Sequence, residues 1–187
     1  MKSHRELSDA DFAAQFENCT LIPQLFNHEA HLRLAWIHIK QHGVDRAADN
    51  LCSQIKTFDK TFDDGTKFNT TVTVAAVKAV HHFMQRSSTT DFPAFIAENQ
   101  QLINNFKGLI ATHYSIDVFS APHAKHTFIE PDLMDNVHHI QHKLPHCTRV
   151  HKKKKAAPRP PFPSPSISRQ PSEIVLQADR NDIDVGF

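Results

Sequence analysis

Residues 27–43, NHEAHLRLAWIHIKQHG, carry both ends of a helix within one short stretch. Asn27 is a strong N-cap residue, because its side-chain oxygen can accept from an amide of the first turn. Gly43 suits the backbone position just past a helix C-terminus. Between them Leu32, Ala35, Trp36 and Ile39 recur at spacings of three and four, so one face is apolar. On the same wheel His28, His31, His38 and His42 fall within an arc of about 80° at 100° per residue. That arc adjoins the apolar face, which predicts imidazoles along the margin of the core.

Comparable signals lie on either side. Ser8 is placed to cap a helix whose inner face holds Phe12 and Phe16, four apart. After Asp45, residues Ala48, Leu51, Ile55, Phe58 and Phe62 keep a helical period until Asp63-Asp64-Gly65 breaks it. Thr71-Val72-Thr73-Val74 has strand propensity, yet Val77, Val80 and Met84 continue a helical stripe, and an isolated strand would have no partner. Asp91 with Pro93 opens a further helix, with Phe95, Ile96, Leu102, Ile103 and Phe106 on one face and Gly108 at its end. Ser120 caps a short segment that stops before Pro131. The reading is an all-α fold, a compact bundle of about six helices over residues 1–150.

Beyond residue 150 the composition changes. Lys152 to Lys155 are consecutive lysines, and residues 158–171 hold six of the chain's 11 prolines. Such a segment has too little apolar surface to offset its ordering entropy. Residues 151–187 are therefore expected to be a disordered Lys/Pro-rich tail, a candidate docking element for a protein partner.

Composition narrows the function classes. A net charge of +1 gives no general attraction to nucleic acid. Cys19, Cys52 and Cys147 form no C-x-x-C pair, which argues against a disulfide framework and for a reducing compartment. No apolar run is long enough for a transmembrane segment or a secretory leader, so a cytoplasmic protein is expected. With four glycines, no Gly-rich phosphate loop and neither H-E-x-x-H nor G-x-S-x-G, nucleotide and hydrolase chemistry find no support. What stands out is 15 histidines.

Neutral imidazole offers a nitrogen lone pair to transition metals and haem iron. His28 with His31, or His38 with His42, could share one ion, whereas the whole stripe, about 21 Å long at 1.5 Å per residue, could not. Residues 138–151 hold a second cluster, in which His138 and His142 would share a helical face before Pro145 ends it near His146 and Cys147. Glu29, Glu130 and Asp132 are candidate carboxylates for a His/carboxylate iron site.

Three segments, FNHEAHLRLAW at 26–36, KFNTTVT at 67–73 and SAPHAKHTFIEPD at 120–132, resemble a family of poorly characterised bacterial all-helical proteins with an F-x-H-x-x-H-L-x-x-A-W motif. The resemblance spans about residues 9–135. Its pattern has an aromatic-His-x-Thr segment where this chain has Asn69 in place of the histidine, so a metal site built on that residue would lack a ligand here. Some similar proteins are labelled hemin-binding, which the resemblance extends to this chain as an expectation. The combined reading is a cytoplasmic binder, without turnover, of hemin or of a transition-metal ion such as iron, zinc or nickel. His28, His31, Trp36 and His38 are the candidate hemin contacts, and His28, His31, His138 and His142 the candidate metal ligands. Two alternatives remain, a non-haem metal-dependent enzyme with a His/carboxylate site and an interaction protein that acts through its tail.

Overall fold

The computed structural model describes residues 3–133, and the second histidine cluster and the tail lie outside them. Among the described residues there are seven α-helices, three short 3-10 turns and no strand. The helices are α1 (Asp9–Glu17), α2 (His28–His42), α3 (Val44–Phe62), α4 (Thr70–Met84), α5 (Phe92–Glu98), α6 (Gln101–Asn104) and α7 (Phe106–Ala111). The bundle is all-α, as its caps and periodicity predict. No helix among the described residues is long and apolar enough to cross a membrane.

Ser8, Asn27 and Asp91 act as the caps that the sequence marks, accepting from the amides of Asp11, Ala30 and Ala94, and Asn69 is a further cap, accepting from the Val72 amide. Gly43, at φ 78°, both ends α2 and precedes α3, so one residue joins two long packed helices. The strand-like run at 71–74 is helical, and the Thr73 hydroxyl donates back to the Asn69 carbonyl at 2.8 Å.

Two expectations change. The single helix expected from Asp91 to Gly108 is three short ones, because side chains compete for its carbonyls: Asn99 Nδ2 takes Phe95 O and Gln100 Nε2 takes Ile96 O, each at 2.8 Å. Gly108 sits inside α7, where a Cβ would collide with the Asn105 side chain, so it provides space and does not stop the helix. The segment after Ser120 forms only the 3-10 turn Pro122–Lys125.

The second change concerns α2, whose residues from Ala30 to Ile39 are all buried. α1, α3, α4 and α6 pack around it, so it is the central helix of the bundle and has no solvent-facing stripe over that length. The histidines consequently do not line a margin. His28 is half-buried, His31 and His38 are buried, and only His42 is exposed. Arg33 is buried too, its Nε and Nη2 donating to Asp9 Oδ1 at 2.9 and 2.7 Å and its guanidinium also bonding the carbonyls of His4 and Leu7.

Candidate functional site

His31 has 0% exposure and packs against Phe26, with ring centroids 3.8 Å apart and the planes tilted by 31°. Phe26 in turn stacks into a cluster with Phe16 and Phe58, which fixes where the imidazole lies. Its Nδ1 bonds the Asn27 carbonyl at 2.9 Å. A carbonyl can only accept, so Nδ1 carries a proton and donates it to Asn27.

Beside this ring a cleft of about 170 Å³ opens between α2, α3 and the start of α4. Asp59 of α3 shapes one wall, accepting from the amides of Lys67 and Phe68 at 3.0 and 2.9 Å. The opposite wall is held by hydroxyls and an amide at the start of α4. Asn69 Nδ2 donates to Val118 O, and Thr70 and Thr71 donate to Lys125 O and Thr127 O, at 2.8 to 2.9 Å. The amide of Ile129 returns a bond to Thr71 Oγ1 at 3.1 Å. These contacts strap residues 118–129 onto α4 and bring Phe119 and Lys125 to the cleft, which Lys107 of α7 also lines.

Comparison of the chain with protein-family models, curated proteins and solved structures finds no match. The site is therefore read from its own geometry. His31 comes from the segment 26–36, Lys67 to Thr73 from the segment 67–73, and Lys125 from the segment 120–132, so all three segments singled out in the sequence meet at this cleft. His31 and Asn69 share it.

The other candidates are dispersed. His28 lies against Phe106, ring centroids 5.1 Å apart, with its Nε2 on the Leu102 carbonyl at 2.8 Å. Trp36 is buried on Phe92 with the Lys40 ammonium 4.2 Å over its ring, and it does not line the cleft. His38 sits two turns further along α2, 5.7 Å from the His42 ring and within 3.5 Å of Asn50 Nδ2. Burial first, and His42 second, lower the His38 pKa to about 4. Glu29 is engaged by Arg5 at 2.6 Å and His4 at 3.5 Å, Glu130 by Lys78 at 3.7 Å, and Asp132 by Ser115. Among the described residues no three His, Cys, Asp or Glu side chains come together to hold a metal. His138 and His142 lie outside the described residues.

Sequence reasoning missed the lysines of this site. Lys107 and Lys125 belong to segments that only the strap at 118–129 and the break before α7 bring near His31, and no local pattern marks them.

Proposed function

We propose that this chain is a binding protein, without turnover, whose ligand site is the cleft beside His31. The observation that carries the reading is the placement of His31. It is wholly buried, held by Phe26 and the Asn27 carbonyl, and lines a cleft with Asn69 and Thr73. A pre-positioned polar group on an apolar wall is what a small-molecule site requires.

The identity of the ligand on this reading remains histidine-linked. A transition-metal ion is supported by the ring geometry, since His28 and His31 each give one N–H to a backbone carbonyl, the arrangement that orients metal-ligating imidazoles. Hemin asks more of the fold. A cleft of 170 Å³ is below the roughly 300–1,000 Å³ of drug-sized ligand sites, so a porphyrin would require the strap at 118–129 to move.

The test is a titration of full-length protein with nickel, zinc, hemin and small organic compounds, followed by ¹H–¹⁵N spectra. Ligand-dependent shifts at the amides of Asn69, Val72 and Thr73, weakened in His31→Gln, are expected. Shifts confined to His38 and His42 would move the site to the far end of α2 and overturn the reading.

A further inference from the structure

Lys67, Lys107 and Lys125 line the cleft, while the one carboxylate in its wall, Asp59, is held by the Lys67 and Phe68 amides beside Lys67. Lys67 is offset by Asp63, 2.6 Å away. The other two make contacts with neutral groups: Lys125 Nζ donates to the Thr66 carbonyl at 2.7 Å, and Lys107 Nζ lies 5.5 Å over the Phe119 ring. Neither forms an ion pair among the described residues. Asp117 is electrostatically coupled to Lys107 and is already held by Ser120 and the Phe119 amide. The first turn of α4, capped by Asn69, presents Val72 and Thr73 to the same space and adds the positive end of a 15-residue helix. Ile55, Phe68, Val72 and Phe119 make the remaining walls apolar. The volume is close to that of a cavity able to take benzene, about 150 Å³.

We propose that the cleft takes a small organic anion, a single carboxylate or phosphate monoester on a ring-sized apolar body, with its charged end at Lys107 and Lys125. The inference rests on the cleft being the ligand site and names the class of molecule that fits it. An anion exchanges the hydration of two ammonium groups for a partly dehydrated mouth, while the apolar body covers Phe68 and Phe119.

The experiment uses the full-length chain and four probes, benzoate, phenyl phosphate, inorganic phosphate and the neutral isostere benzamide. Affinity is read by calorimetry and location by the amides of Asn69, Val72 and Thr73. Benzoate and phenyl phosphate are expected to bind saturably at the cleft, more weakly as salt rises, with benzamide at least about tenfold weaker. Lys107→Gln and Lys125→Gln should each weaken benzoate by about threefold, the range of a partly exposed ion pair. Their melting temperatures should stay within a degree or two of the parent, because both side chains lie at the surface. Benzamide binding as well as benzoate, or lysine variants without effect, would overturn the anion inference and leave the cleft as a neutral-ligand site. Inorganic phosphate binding as tightly as phenyl phosphate would overturn the apolar body. If no probe binds while nickel or hemin shifts the cleft amides, the anion inference fails and the cleft reading stands. If none of these ligands reaches the cleft, both fail.

Discussion

Arg33, near the middle of α2, grips Asp9, the first residue of α1, through two hydrogen bonds to one carboxylate oxygen. The guanidinium is buried and its remaining donors go to the carbonyls of His4 and Leu7, while its face lies 5.0 Å from the Phe12 ring. A polar side chain on the central helix thereby fixes the whole N-terminal segment. Asp9→Ala should destabilise the fold by about 2–3 kcal/mol, since it strips a charged partner from a buried cation. Urea denaturation checks it, and a change under about 0.5 kcal/mol would show that the carbonyls alone suffice.

Acid should weaken the fold through His38. Its pKa lies near 4 when folded and near the ordinary 6.5 when unfolded, so the unfolded chain takes up the proton first as pH falls. The stabilisation from keeping this ring neutral is whole above pH 6.5 and is lost progressively toward pH 4, about 3 kcal/mol in all. His4, whose pKa burial also lowers, adds to the same slope. In His38→Gln, melting temperature between pH 7 and 4.5 should fall less steeply than in the parent. Equal slopes would place the acid sensitivity elsewhere.

The strap at 118–129 depends on the Thr71 hydroxyl, which is fully buried and serves both Thr127 O and the Ile129 amide. Thr71→Val keeps the shape and leaves both backbone groups without that partner, at a cost of about 1–3 kcal/mol. Hydrogen exchange should rise at Ile129 ahead of the amides of α2. Uniform acceleration across the chain would mean that the strap does not open on its own.

Asn69→His would set a second imidazole beside His31 in the cleft. The cap on Val72 weakens, at about 1 kcal/mol, while nickel affinity measured by calorimetry should rise by at least an order of magnitude over the parent. No gain would show that the side chain at position 69 does not reach the His31 edge.

Several helix starts were legible because caps are local, as Ser8, Asn27 and Asp91 each show within a few residues, whereas Asn69 went unread and Gly108 and Ser120 do not bound helices. The interruption at 99–105 was not legible, since Asn99 and Gln100 fit a helical stripe and break it only through the carbonyls that their amides capture. The burial of α2 was hidden for a related reason. Arg33 and His31 look like surface residues until the distant His4, Leu7 and Asp9, or the neighbouring Asn27 carbonyl and Phe26 ring, are seen to satisfy them. His31 was named from its spacing alone. Lys107 and Lys125 could not be, because nothing near them in the chain records what they face.

Gly43 joins α2 to α3 with no intervening loop, so the largest contact surface in the fold forms between neighbours along the chain and closes little entropy when it does. The strap that carries Phe119 and Lys125 must instead find α4 across some fifty residues. Short sequence separation therefore favours forming the two-helix hairpin ahead of the cleft, which needs contacts from far along the chain. A molecule that recognises the finished cleft discriminates against every incomplete fold, so its binding reports completion of the chain's folding and holds the latest-formed part in place.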